Sequence, residues 1–270
     1  MRWLLSRFEI YPNAYYNYLK NQKAKYHEEK AKTQREIVKI YHENNGTPGY
    51  RMMADYLALK GIFYSYSTIY AYMDELGIKS ITRRKRPNYS KGNAHKVFPD
   101  LLNQMFNVES PNQVWATDFT YMILPGGSTV YNCSIIDLYK RNVVATLNGS
   151  HIDNKLAIAT LKIALERHKP KRGIILHSDQ GSQFTSKDFV DFCKKNHIQQ
   201  SMSRVGCPYD NAPMERFINT LKTEFFNLYT FSSIEILNEK TYEFVYVKYN
   251  NLRPHQYNGG LPPNVALRVA

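Results

Sequence analysis

Residues 112–124 read NQVWATDFTYMIL. The segment is dense in Val, Trp, Phe, Thr, Tyr and Ile, the residues that fit a pleated surface, and an acid, Asp118, stands in its middle. A carboxylate inside an apolar strand is costly unless it is paired or bound to metal. The stretch therefore predicts a strand that carries a functional acid, and its neighbours decide the fold.

Downstream, Gly126 and Gly127 turn the chain into STVYNCSIIDLY (128–139), and RNVVATLNG (141–149) follows. These three strands form a meander. DNKLAIATLKIALERHK (153–169) has helical periodicity, and RGIILHSDQG (172–181) is a short buried-type strand ending in Asp179. Another helix, SKDFVDFCKKNH (186–197), leads to a strand in IQQSMS (198–203). Then comes GCPYDNAPMERFINTLKTEFF (206–226), which opens as a turn and becomes a helix, with Met214, Ile218, Leu221 and Phe225 on one stripe. The order βββ-α-β-α-β-α is that of an α/β fold with a mixed sheet and flanking helices, the ribonuclease H layout.

Glu215 falls in the first turn of that last helix, and Lys222 lies seven residues later, about two turns on, so both leave the same side. One reading of Glu215 is a helix cap favoured by the dipole. The other joins it to Asp118 and Asp179 at one end of the sheet. Three carboxylates there would hold two Mg²⁺ ions, since hard cations take oxygen ligands, for in-line phosphoryl transfer.

Upstream, TQREIVKIYHENNGTPGYRMMADYLALKGIFYSYSTIYAYMDELGI (33–78) reads as three helices, about 33–44, about 50–59, and a third capped by Ser65 or Ser67. This all-α segment suits a helix-turn-helix DNA reader, with Arg51, Tyr66, Ser67 and Thr68 as candidate DNA contacts, or else an ordinary helical subdomain. KSITRRKRPNYSKGNAHKVFPD (79–100) follows, with Arg83, Arg84, Lys85 and Arg86 in a row. It reads as an extended basic linker able to track phosphates, or as a solvated tether. The divisions expected are a helical segment 1–32, the helix-turn-helix domain 33–79, the linker 80–108 and the catalytic core with its tail 109–270.

Composition agrees. Over 270 residues, 36 Lys and Arg face 23 acids, a net charge of +13, which points to a polyanionic partner. Cys133, Cys193 and Cys207 have neither disulfide nor zinc spacing and are expected as free thiols in a reducing cytoplasm. No run of apolar residues is long enough for a membrane span.

The motifs WATDFTY (115–121), LHSDQGSQFTS (176–186), SMSRVGCPYDNAPMERFINTLKTE (201–224) and YNNLRPHQ (249–256) together resemble the transposases of the insertion sequence three family, OrfB type, whose integrase catalytic core is shared with retroviral integrases. Between Asp179 and Glu215 lie 35 residues, the spacing of that family's acid triad, and Lys222 stands where the family carries a basic residue. The resemblance implies a catalytic set of Asp118, Asp179, Glu215 and Lys222, with Lys222 also touching DNA, and Mg²⁺ replaceable by Mn²⁺. It implies cleavage at element ends and strand transfer. It also implies terminal inverted repeats and target DNA as partners, a homo-oligomer on DNA, the product of the element's first reading frame as a further partner, and a place at the bacterial nucleoid. Two other classes stand beside it: a DNA-binding regulator or relic using the helix-turn-helix alone, and a plain ribonuclease H-type nuclease. Among secondary residues, Asp137 is expected to pair with Lys140 or Arg141, with contact to metal or DNA as the lesser alternative, and Asn211 to cap the helix of Glu215. His177 is either a satisfied semi-buried histidine or a DNA or ligand contact. Arg253 and His255 bind either phosphate or the core.

Overall fold

The computed structural model describes residues 1–20, 22–81, 97–170, 173–204 and 207–270. The basic run Arg83, Arg84, Lys85 and Arg86 lies outside them. The chain divides into two compact units, Met1–Thr82 and Arg83–Ala270.

The first unit is helical: α1 (Arg2–Arg7), α2 (Pro12–Leu19), α3 (Gln22–Glu43), α4 (Tyr50–Leu59) and α5 (Tyr66–Glu75). Between Pro12 and Gly46 no Pro or Gly interrupts the sequence, so α3 runs unbroken across residues 32 and 33. Ile37 and Ile40 of α3, Met53 and Leu57 of α4, and Ile69, Tyr72 and Met73 of α5 make its core. Ser65 caps α5, its Oγ accepting from the Thr68 amide at 3.2 Å. Gly46 turns the chain after α3 at φ +72°, a conformation that favours glycine.

In the second unit the described residues form a five-stranded sheet from β1 (Val114–Ile123), β2 (Thr129–Asp137), β3 (Val143–Gly149), β4 (Ile175–Ser178) and β5 (Gln199–Met202), in the order β3-β2-β1-β4-β5. The meander pairs antiparallel, while β4 runs parallel to β1 and β5 parallel to β4. α6 (Asn154–His168) links β3 to β4. α7 (Ser182–Thr185) and α8 (Lys187–Lys195) link β4 to β5.

Strand alternation splits the core in two. Trp115 and Ile135 face α6, α7 and α8, with Ala157, Leu161, Phe184 and Phe189. Val114, Ala116, Met122 and Ile136 face the other way, onto α9 (Ala212–Leu221) and α10 (Ile234–Tyr242). Each of these two helices runs on into a π-helical segment, Lys222–Phe226 and Glu243–Leu252, and α11 (Pro263–Arg268) ends the fold. The sequence does not announce the π segments, because they keep the apolar stripe of an ordinary helix. Among the described residues no helix is long and apolar enough to cross a membrane.

Candidate active site

The parallel ladder between β1 and β4 ends with Ala116 beside His177. Two residues further along each strand stand Asp118 and Asp179, the latter just past the last residue of β4. Asp118 shares strand parity with Ala116 and Met122, and so belongs to the face covered by α9. Asp179 shares the parity of Ile175, which packs on the same cluster. Asp118 thus stands midway along β1, just beyond its parallel ladder with β4, level with Asp179 just past the carboxyl end of β4. Beyond Asp179 the chain leaves β4 for α7, while β1 runs on to Ile123 paired with β2.

Each carboxylate is oriented locally. Asp118 Oδ1 accepts from the Phe119 amide at 2.7 Å, and Asp179 Oδ1 from the Gly181 amide at 2.9 Å. Gly181 must be small: a Cβ there would lie 2.9 Å from that same Asp179 oxygen and 3.0 Å from the Gln183 carboxamide. Glu215 occupies the first turn of α9, which presses Met214, Phe217, Ile218 and Leu221 onto β1's face. Lys222 ends α9 and starts the π segment, its ammonium 4.5 Å from the centre of the Tyr121 ring. Tyr121 stands three residues past Asp118, and no sequence signal marks it as a partner of Lys222. Among the described residues no three His, Cys, Asp or Glu side chains stand close enough together to hold a metal ion.

The turn that delivers Glu215 is held by a residue that composition alone presents as a turn former. Asp210 is fully buried, and its carboxylate accepts from Gln104 Nε2 at 2.8 Å, the Arg204 amide at 3.0 Å and the Arg204 guanidinium at 2.9 and 3.1 Å. The Arg204 guanidinium, then Gln104, hold its carboxyl well below the usual carboxylate range. Such a group adds stability above its unfolded pKa and loses it as pH falls through the folded value. Asp210→Asn is therefore expected to melt lower than wild type at pH 7, with the gap narrowing once pH drops below about 4. Thermal melts of both proteins from neutral to acid pH check this, and a gap independent of pH would contradict it.

Asn211 does not cap α9. Its side chain makes no cap hydrogen bond, since the 3₁₀ turn Pro208–Asn211 runs directly into the helix and Asn211 has no extended cap conformation. Asp137 makes no salt bridge with Lys140 or Arg141 either, although the Arg141 charge is close enough to favour its ionised form. Buried at the end of β2, it accepts from the amides of Asn112 at 2.7 Å and Tyr139 at 2.9 Å, and burial pushes its carboxyl up. His177 is fully buried, with Nδ1 2.9 Å from Ser201 Oγ, and burial lowers its pKa. That geometry makes it a core histidine tying β4 to β5 and removes it from any surface contact.

Arg253 binds the core. Its guanidinium donates twice, at 2.7 Å each, to the buried carboxylate of Glu224. His255 is pushed down to about 3 by burial first and then by Arg253, Arg141 and Arg216, so it is neutral. Cys133 and Cys193 are buried free thiols raised to about 12 by desolvation, and Cys207 is free and half-buried.

In the helical unit, Arg51 donates from Nε to Tyr50 Oη at 3.1 Å. The Tyr50 ring meets Tyr66 and Tyr70 edge-on at 6.3 and 5.7 Å. Tyr66 and Tyr70 are exposed, while the Ser67 and Thr68 hydroxyls each lie 2.8 Å from Ser65 Oγ within the cap of α5. Arg51, Tyr66, Ser67 and Thr68 are thus gathered at the amino ends of α4 and α5.

Three family comparisons cover most of the chain. An integrase core domain matches residues 108–208, a second integrase core domain residues 196–263, and an HTH-like domain residues 27–86. The insertion element IS600 uncharacterized 31 kDa protein of Shigella sonnei is 31% identical over 257 residues, spanning 95% of this chain and 94% of that one. Transposase InsF for insertion sequence IS3A of Escherichia coli (strain K12) is 34% identical over 212 residues, 78% of this chain and 73% of its own. The transposase for insertion sequence element IS904 of Lactococcus lactis subsp. lactis (strain IL1403) is 32% identical over 232 residues, 84% and 91% of the two chains. In fold, the chain is similar to a chain of the simian T-cell lymphotropic virus intasome solved by cryo-EM with PP2A regulatory subunit B56 gamma. The TM-score is 0.50 at 15% identity, over 86% of this chain and 74% of that one. The mixed sheet with its flanking helices is thus the ribonuclease H-like sheet of integrase cores.

Proposed function

We propose, from the premise that this chain belongs to the insertion sequence three family of transposases, that it cleaves DNA at the ends of its element and joins the freed 3′-hydroxyl to a target strand. The observation that carries the reading is the level placement of Asp118, within β1, and Asp179, just past the end of β4, with the helix of Glu215 packed over the same face.

Asp118, Asp179 and Glu215 would hold the divalent metal. Their all-carboxylate oxygen set fits a hard cation such as Mg²⁺, and no thiol or imidazole competes among the three. Two such ions supply activation of the attacking oxygen and stabilisation of the leaving one. The three acids do not form a metal-holding group as they stand, so completing the set requires at least one of these side chains, or the element that carries it, to move. The Gly181 amide holds Asp179 ready. Lys222, aimed by its contact with Tyr121, serves as a point charge for a DNA phosphate.

The helical unit reads the element end through Arg51 and the first turn of α5, Tyr66, Ser67 and Thr68, assisted by the exposed Tyr70. The basic run after it tracks the phosphate backbone, and the active form is a homo-oligomer on DNA, joined by the product of the element's first reading frame. Replacing Arg83, Arg84, Lys85 and Arg86 together by Ala is expected to weaken binding and to flatten its salt dependence by about 0.9 log unit per log unit of salt for each phosphate left unneutralised. Binding isotherms across a salt series check this, and an unchanged slope would remove the run from the DNA path. The central experiment is 3′-end cleavage and strand transfer of a terminal-repeat duplex with Mg²⁺. A regulator or relic predicts binding without either product, and a plain nuclease predicts cleavage without joining.

A further inference from the structure

We propose that the buried Glu224–Arg253 pair is a positioning device that fixes how α9 presents Glu215 and Lys222 to Asp118 and Asp179. This rests on the catalytic reading above.

The two residues are 5% and 7% exposed and meet through two parallel bonds of 2.7 Å, Arg253 Nε to Glu224 Oε2 and Arg253 Nη2 to Glu224 Oε1. Glu224 lies two residues past Lys222, so the pair and Lys222 project from roughly opposite sides of the helix. It also sits inside the π segment Lys222–Phe226, a wide turn that is unfavourable in isolation and recurs at functional sites. The fork of Arg253 is planar and bidentate, so it fixes the rotation of that turn as well as its distance from the core.

Arg253 is itself anchored. Its amide donates to the Lys248 carbonyl at 2.8 Å, and its guanidinium lies 5.8 Å from the Tyr249 ring. Tyr249, 2% exposed, packs edge-on against Phe217 at 5.0 Å, two residues past Glu215. Asn250 then makes a two-way bond with the backbone of the edge strand, donating to the Val143 carbonyl and accepting from the Val143 amide, both at 2.9 Å. The segment YNNLRPH is thus a strut. It runs from β3 to the back of the helix that carries Glu215 and Lys222, and it grips that helix at both ends, through Phe217 and through Glu224.

A buried ion pair adds little to net stability, because desolvation offsets the attraction, and well-packed apolar residues often replace one without loss. A stabilising role and a positioning role therefore separate in one experiment. Wild type, Arg253→Lys and the double variant Glu224→Leu/Arg253→Met are compared by thermal melting, by affinity for a terminal-repeat duplex, and by kcat and KM for its 3′-end cleavage with Mg²⁺. The double variant is expected to melt and bind close to wild type but to cleave roughly tenfold to a hundredfold more slowly, in kcat and not in KM, as a slightly misplaced group does. Arg253→Lys keeps the charge and loses the fork, and is expected to be slowed in the same sense. A double variant, or a folded Arg253→Lys if the double variant does not fold, that cleaves at the wild-type rate overturns the proposal alone. A wild type that binds the duplex but never cleaves it overturns the catalytic reading, and the proposal with it.

Discussion

Glu215→Gln is expected to lose detectable cleavage and joining of an element-end duplex while folding and binding DNA nearly as wild type does. The substitution keeps the size of the side chain and its place in the first turn of α9. It removes one anionic oxygen donor, and a neutral amide holds a hard cation less strongly. Loss of the metal set removes several kcal/mol of transition-state stabilisation, with every ~1.4 kcal/mol worth a factor of ten in rate. If Glu215 served only the helix dipole, the change would lower stability by about 0.3–1 kcal/mol and leave activity intact. The measurement is 3′-end cleavage with Mg²⁺ beside thermal melting of both proteins. A variant that melts slightly lower and still cleaves would show Glu215 to be a helix cap.

Trp115→Ala should do the reverse, with a large loss of stability at a position inside the same motif as Asp118. Trp115 is completely buried, and strand alternation turns it to the face opposite Asp118. Its indole N–H donates to Asn112 Oδ1 at 3.2 Å and its ring meets His168 edge-on at 6.2 Å. Removing a large buried aromatic costs about 3–5 kcal/mol, through forfeited transfer energy and the cavity left behind. For a unit of this size that lowers the melting temperature by roughly ten degrees. Calorimetry resolves it, and an unshifted transition with weakened DNA binding would place Trp115 at the DNA surface instead. Residues three apart in one motif thus serve different ends: Trp115 builds the core behind the sheet and Asp118 belongs to the face covered by α9.

Much of the core was legible residue by residue. Period-two alternation around Asp118, the Gly126-Gly127 turn and the stripe Met214, Ile218, Leu221 are local signals, and each element they announce is present. Residues whose role depends on a distant partner were not legible. Asp210 reads as a turn residue until Gln104 and Arg204 are seen on its carboxylate. Asp137 was expected to take a cationic neighbour and instead takes two backbone amides. Arg253 could have served phosphate or protein equally well until Glu224 closed on it.

The sequence by itself determined the order of strands and helices, the polyanionic class of partner and the choice of three candidate acids, because periodicity, net charge and the cost of a carboxylate in an apolar strand are properties of neighbouring residues or of the whole composition. Only the tertiary structure decided that Asp118, within β1, and Asp179, just past the end of parallel β4, stand level on one face, that Lys222 meets Tyr121, and that YNNLRPH braces the helix of Glu215 from β3. Those facts turn on strand register, the width of one helical turn and pairs far apart in the chain. Such pairings are chosen by how whole elements bury their apolar faces against each other, and no local pattern carries that information.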